Sequence, residues 1–129
     1  MRQWLHPKAR RIRKVFGGGM RQAGFLAAAG IFALDHHIAR LNEDHYRARE
    51  LGKAIARQSY VKSIMPVDTN IVIFELAPGI TQQQFLAKAG EFQIKALTFN
   101  TNEIRFVTHL DFTDDMLDQT VEAFSKIRF

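Results

Sequence analysis

The sequence predicts an α+β fold, in which N-terminal helices are followed by a mostly antiparallel sheet with covering helices. Two observations lead to this fold class. Up to residue 58 the apolar residues recur at helical spacing or form continuous runs of small and large side chains. After residue 58 the period changes, and short β-branched and aromatic segments alternate with turn residues. These later strands are mixed with two further helices, an order that favours one sheet covered on one side.

Three helices are predicted before the strands. Pro7 suits the first turn of a helix that continues through KARRIRKVF, and Gly17–Gly19 end it because glycine is a poor helix former. A second helix, predicted from Met20 to about Leu34, is apolar on all sides and should be covered nearly all round. The third, in HHIARLNEDHYRARELGKAIARQ, has apolar residues at helical spacing with charges between them, which is typical of a half-exposed helix.

Four strands are predicted in the second half of the chain. YVKSIM is a short strand, and the β-branched and aromatic run TNIVIFEL is typical of a central strand. IKALTF and EIRFVTHL flank a turn at Asn100–Asn102. Because side chains alternate along a strand, the last segment has one face formed by Ile104, Phe106 and Thr108, and another formed by Arg105, Val107 and His109.

Two more helices complete the predicted fold. Thr81, followed by Gln84 three residues later, is a capping-box signal for a helix in QQQFLAKAGEF. The last helix starts at residues 113–115, where Thr-Asp-Asp favours a helix N-terminus. Helical spacing predicts that its inward residues are Leu117, Val121 and Phe124.

Composition limits the class of protein. A chain of 129 residues with 47% hydrophobic residues and 11 phenylalanines is an ordered globular domain rather than a disordered segment. The sequence contains no cysteine, which excludes disulfides and thiolate metal sites and fits a cytoplasmic protein. No apolar run reaches the roughly 18 residues of a membrane span, and MRQWLHPKARRIRK lacks the apolar core of a secretory signal. We therefore expect a cytoplasmic location and no membrane partner.

The net charge of +5 is concentrated near the N-terminus. Residues 1–22 contain seven of the 18 basic residues and no acid, so the remainder holds 11 basic and 13 acidic residues. A local basic cluster binds phosphate, nucleic acid or an acidic protein surface, or is simply a solvated helix face. A non-enzymatic basic module that acts through residues 2–21 is thus an alternative function. It ranks lower because Trp4 is the sole tryptophan and no aromatic stacking platform is evident.

The motifs do not predict a complete active site or a metal site. His36 and His37 are adjacent, so one helix face cannot present both rings to one metal. Asp114 and Asp115 are best explained as helix-start residues. The three glycines lack the spacing of the GxGxxG and Walker motifs. We therefore assign no catalytic residue and expect no metal.

Two features point to ligand binding. Lys14 and Arg21 flank the glycines, whose backbone N–H groups, with the dipole of a following helix, would favour an anion; the glycines are alternatively only a turn. Arg105 lies in a strand between apolar residues, and its planar guanidinium is suited to bidentate carboxylate recognition. The alternative for Arg105 is an ordinary position on a solvent-facing strand.

The segment RRIRKVFGGGMRQAGFLAAAGIFAL closely resembles part of the low-specificity threonine aldolases, in the aromatic-amino-acid β-eliminating lyase superfamily. The later segments RLNEDH, DTNIVIFEL and IRFVTHLD occur in the order found in that family. The resemblance covers about residues 9–129. It implies the C-terminal small domain of a pyridoxal-phosphate-dependent enzyme of the aspartate-aminotransferase type, fold type I. It also implies a division between residues 1–19, a basic helix and glycine linker at the edge of a missing large domain, and residues 20–129, the C-terminal domain.

The resemblance also implies residue roles and partners. Lys14 and Arg21 would face the cofactor phosphate or the substrate across a subunit contact, and Arg105 would bind the substrate α-carboxylate. The helix of residues 20–34 would pack against the large domain and a partner subunit. The family's Schiff-base lysine, stacking histidine and pyridine-nitrogen aspartate precede the matched region. The expected function is therefore that of a fragment, inactive alone, of an enzyme that converts a β-hydroxy-α-amino acid to glycine and an aldehyde.

Overall fold

The computed structural model describes residues 5–129. Arg2 and Trp4, which belong to the basic segment considered above, lie outside the described residues. The chain divides into two compact units, one ending at Ile38 and the other running from Ala39 to Phe129. The division predicted between residues 19 and 20 concerns the domains of a longer protein and stays a prediction.

The first unit contains helix α1 (Leu5–Val15) and helix α2 (Gly24–His36). Helix α1 ends at the glycines in a Schellman motif. The N–H of Gly17 donates to the carbonyl of Lys14 at 3.1 Å, and the N–H of Gly18 donates to that of Arg13 at 2.8 Å. Gly17 has a φ of 84°, a backbone conformation that residues other than glycine adopt only with strain. The prediction that the glycines break the helix is confirmed.

The start of the second helix differs from the prediction. Helix α2 begins at Gly24 rather than at Met20. The reason is local: Gln22 has a φ of 51°, a left-handed conformation that a right-handed helix cannot contain. Residues 21–23 therefore form a turn before α2.

The second unit contains three helices and four strands. The helices are α3 (Leu41–Ala56), α4 (Gln82–Glu91) and α5 (Asp114–Lys126). The strands are β1 (Val61–Ile64), β2 (Ile71–Leu76), β3 (Leu97–Phe99) and β4 (Glu103–Val107). The order of the elements agrees with the prediction, although α3 begins five residues later than His36, after a turn at residues 37–40. None of the helices in residues 5–129 is both long and apolar enough to cross a membrane.

The strands form one antiparallel sheet in the order β1-β2-β4-β3. TNIVIFEL supplies a central strand, as predicted. In the register of β2 and β4, Ile73 lies opposite Arg105 and Phe74 lies opposite Ile104. On the other side of β4, Leu97 of β3 lies opposite Arg105. The predicted α+β class with an antiparallel sheet is thereby confirmed.

The helices cover one face of this sheet and enclose an apolar core. Thr81 and Gln84 form the predicted capping box at the start of α4, which places Phe85 of that helix in the core. Phe85 is fully buried, and its ring contacts those of Tyr60, Phe74, Phe106 and Phe129 at centroid distances of 5.4–6.4 Å. The sheet and α5 contribute further buried side chains: Val72, Leu76, Ile104, Leu117 and Phe124.

We expect Phe85→Ala to lower the free energy of unfolding by about 3–5 kcal/mol, because it leaves a cavity among four aromatic rings. Urea denaturation followed by circular dichroism measures the change. Met116→Ala is the matched control, since Met116 is 49% exposed on a helix of the same unit; its effect should stay within about 0.5 kcal/mol. Equal stability of the two variants would contradict the assigned core.

Candidate functional site

The face of the sheet opposite the helices is apolar and largely uncovered in the described chain. Alternation along β2 and β4 places Ile71, Ile73 and Val107 on this open face, with Leu97 beside them on β3. Ile71 and Val107 are about 40% exposed, and Leu97 is more exposed still. An apolar sheet face of this kind is unusual on a free surface and indicates that another surface packs on it.

Arg105 lies in the middle of the open face. It is half-buried, and its β-sheet neighbours on the two sides are Ile73 and Leu97. Its Nε atom is inaccessible to solvent and has no hydrogen-bond partner among residues 5–129. A buried donor without an acceptor costs about 1–3 kcal/mol. The Nε–H of Arg105 therefore lacks the acceptor that a buried donor requires.

The two carboxylates on the same face are bound to other donors. Glu75 accepts hydrogen bonds from Lys62 at 2.8 Å and from Ser63 at 3.1 Å. The Lys62 ammonium lowers the pKa of Glu75, which keeps this carboxylate charged and paired. Glu103 accepts a hydrogen bond from Asn100 at 2.8 Å. Neither group pairs with Arg105 in the described residues, so its Nε–H has no acceptor among them.

Lys14 and Arg21 lie on the two sides of the glycine turn in the first unit, and both are exposed. The backbone at Gly19 passes the side-chain stem of Lys14, since a Cβ atom there would lie 3.3 Å from the Lys14 Cγ. The N–H groups of Gly17 and Gly18 donate to carbonyls of α1 and are therefore not available to an anion, whereas the anion site considered from the sequence stays a prediction. The two cationic side chains and the remaining N–H of Gly19 are the donors that this turn could offer to an anion.

Helix α2 has an apolar surface that the rest of the first unit does not cover. Its large apolar residues are 55–84% exposed: Phe25, Leu26, Ile31, Phe32 and Leu34. No residue of the helix is buried. The continuous apolar pattern predicted a helix covered nearly all round, and the exposed side chains show that the first unit by itself does not supply that cover.

Sequence reasoning missed a charged cluster at the start of α3. Asp44 is almost fully buried, and both of its carboxylate oxygens accept hydrogen bonds from Arg40 at 2.9 Å. Arg47, one turn further, binds Asp114 at the start of α5 at 2.7 Å. The three- and four-residue spacings of Arg40, Asp44 and Arg47 along the start of α3, with Arg40 just before its first residue, were the available signal. Asp114 thus has a partner beyond its predicted role at a helix start.

Comparison with known proteins places the chain among lyases. The family model described as beta-eliminating lyase matches residues 5–78. The chain is 38% identical to the low specificity L-threonine aldolase of Escherichia coli, over 85% of the chain and 32% of that protein. It is 32% identical to a probable low-specificity L-threonine aldolase of Arabidopsis thaliana, over 93% of the chain and 35% of that protein.

An uncharacterized protein of Caenorhabditis elegans is 35% identical over 92% of the chain and 30% of its own length. The chain therefore spans about a third of the length of the curated relatives that it matches. The resemblance to the threonine aldolases inferred from the sequence motifs is confirmed by these matches.

We expect Arg105→Met to keep or raise the free energy of unfolding of the chain, by up to about 1 kcal/mol, because it removes a buried donor without a partner and keeps the aliphatic stem. Chemical denaturation of both proteins measures this difference. Arg57→Met, at an exposed arginine after α3, is the control and should change stability by less than about 0.5 kcal/mol. A loss of more than 1 kcal/mol on Arg105→Met would indicate that Arg105 serves the fold rather than a ligand.

Proposed function

The chain belongs to the beta-eliminating lyase family, and from this premise we propose that it is the C-terminal portion of a pyridoxal-phosphate-dependent aldolase. The complete enzyme would cleave a β-hydroxy-α-amino acid to glycine and an aldehyde. The names of the matched relatives support threonine as the type of substrate. The chain matches only about a third of the length of these relatives, which supports the proposal that it acts together with a further domain.

The observation that best supports this function is the unpartnered guanidinium of Arg105 on an apolar sheet face. An α-amino acid substrate has a carboxylate that matches the two parallel donors of a guanidinium. On a face covered by a second domain, water would be excluded and the charge-assisted hydrogen bonds would be stronger than in solvent. Arg105 would thus bind and orient the substrate carboxylate.

The cationic residues of the first unit fit the phosphate end of the cofactor. Lys14 and Arg21 provide two exposed positive side chains on one turn, the donor chemistry that a phosphate dianion requires. When bound, pyridoxal phosphate supplies the electron sink for cleavage next to the amino acid α-carbon. The residues of this chain would hold its phosphate and position the substrate, whereas α2 would pack against the large domain and a partner subunit.

The described residues do not supply a lysine suited to holding the cofactor covalently. Among residues 5–129 no lysine is buried. Four of the lysines form ion pairs with glutamates: Lys53, Lys62, Lys88 and Lys126. Burial in an apolar pocket, one of the ways in which the pKa of a lysine nucleophile is lowered, is thus absent from the lysines of residues 5–129. We therefore propose that this chain alone does not cleave the substrate and that the lysine lies in another part of the enzyme.

We expect the purified chain, mixed with pyridoxal phosphate and reduced with borohydride, to show only weak labelling spread over several exposed lysines. Peptide mass spectrometry locates the label, and an assay of acetaldehyde release from threonine accompanies it. Stoichiometric labelling of one lysine together with threonine cleavage would contradict the proposal that the chain is incomplete.

The role of Arg105 is testable in a chimera in which this chain replaces the matched third of the Escherichia coli aldolase. Truncation of one partner of a desolvated charged pair costs about 2–5 kcal/mol. We therefore expect Arg105→Ala to lower kcat/KM for threonine about 30- to 4000-fold, with the affinity for pyridoxal phosphate unchanged. Arg105→Lys should recover little, because an ammonium lacks the planar fork.

The matched control in the chimera is Arg57→Ala, which removes an exposed arginine outside the sheet. A folded, cofactor-loaded Arg105→Ala chimera that cleaves threonine at the parent rate would exclude the carboxylate role. A parent chimera that folds and binds pyridoxal phosphate but cleaves no threonine would count against the aldolase assignment.

A further inference from the structure

Two buried polar residues of the described chain lie at one place. Asp44 is 3% exposed and Thr108 is 2% exposed, whereas the buried residues of the core are hydrophobic. The hydroxyl of Thr108 donates a hydrogen bond to the main-chain carbonyl of Asp44 at 2.8 Å. These residues are 64 positions apart in the sequence, so the bond joins the first turn of α3 to the residue that directly follows β4.

Thr108 is also joined to the start of β2. Its N–H donates to the carbonyl of Asn70 at 2.9 Å, and the side-chain amide of Asn70 donates to the carbonyl of Thr108 at 2.7 Å. On the helix side, the paired Arg40 and Asp44 side chains hold the N-terminal turn of α3 in one conformation. The end of β4 is therefore bound to a helix and to a neighbouring strand at once.

Stability alone does not explain this arrangement. Replacing a buried ion pair by well-packed apolar residues is often neutral or stabilising, and the best-attested use of buried polar groups is to specify a register. A shift of β4 by two residues would keep Ile104 and Phe106 on the core face, since strand side chains alternate. Such a shift would, however, move Arg105 away from its place opposite Ile73. The apolar pattern alone does not prevent that shift, whereas the hydrogen bonds of Thr108 do.

We propose that Asp44 and Thr108 are positioning residues for Arg105, which fix the register of β4 and thereby the location of the guanidinium on the open face. That this location serves to bind the substrate carboxylate rests on the proposed function. It also accounts for the RLNEDH and IRFVTHLD segments, because Asp44 of the first and Thr108 of the second form the bond.

The first experiment observes the position of Arg105 without reference to activity. In the isolated full chain, the Nε–H of Arg105 is inaccessible to solvent and should give its own signal in a ¹⁵N–¹H correlation spectrum. Thr108→Val removes the donated hydrogen bond and preserves the shape of the side chain. We expect it to displace the Arg105 Nε–H signal and to accelerate its hydrogen exchange on the order of tenfold, because local opening becomes easier.

Conservative variants separate positioning from general destabilisation. Thr108→Ser retains the hydroxyl and should restore the parent signal and exchange rate. Asp44→Asn retains the main-chain acceptor but loses the charge that binds Arg40, and should displace the Arg105 signal by an intermediate amount. This variant replaces Thr108→Val in the test if Thr108→Val does not fold. Glu43→Gln is the matched control, because Glu43 is its exposed neighbour and has only long contacts to Arg40 and Arg47. An unchanged Arg105 signal in Thr108→Val and Asp44→Asn overturns the proposal.

The second experiment connects the position to the proposed function. In the chimera with the Escherichia coli aldolase, misplacement of the carboxylate site should lower kcat/KM for threonine about 10- to 100-fold in Thr108→Val. The affinity for pyridoxal phosphate should not change, and Thr108→Ser should recover activity. Normal kcat/KM in a folded Thr108→Val chimera overturns the positioning role. If instead Arg105→Ala is fully active, the proposed function fails, while the spectra of the isolated chain still report whether Thr108 fixes Arg105.

Discussion

Burial of alternate residues of β2 and β4 against the helices is the constraint on which the candidate site depends. Val72 and Phe74 on one strand, with Ile104 and Phe106 on the other, must face the core because they form its apolar centre. Arg105 lies between two of these core residues, so it must point to the opposite face. That the guanidinium lies on the open face is thus a geometric consequence of core packing, whereas its position along that face depends on the register of β4.

The same constraint leaves apolar surface without a cover. The helices occupy one face of the sheet, and the other face presents Ile71, Val107 and Leu97 beside the arginine. Helix α2 is apolar on all sides and exposed along its length. Contiguous exposed apolar surfaces are usually covered in a functional protein. They are consistent with the proposal that the chain acts as one part of a larger lyase.

Some polar residues have their hydrogen bonds satisfied within the second unit, and others do not. Asp44, Thr108 and Asn70 are satisfied within the second unit and connect α3, β4 and β2. Arg105 has no such partner in residues 5–129. A protein that retains an unsatisfied buried donor loses stability, so the donor is best explained by a ligand or a second surface. The contrast between these two sets of polar residues is the physical basis of the proposed carboxylate site.

The sequence by itself determined the order of elements, the central position of β2, the capping box at Thr81 and the face of Arg105. These features depend on local periodicity and on interactions between residues three or four apart, which the sequence displays directly. Only the tertiary structure decided that Gln22 interrupts the second helix, that the N–H groups of Gly17 and Gly18 close α1, and that Thr108 binds Asp44. The first two depend on backbone dihedral angles, and the third joins residues 64 positions apart, whose proximity is set by packing of the helices on the sheet.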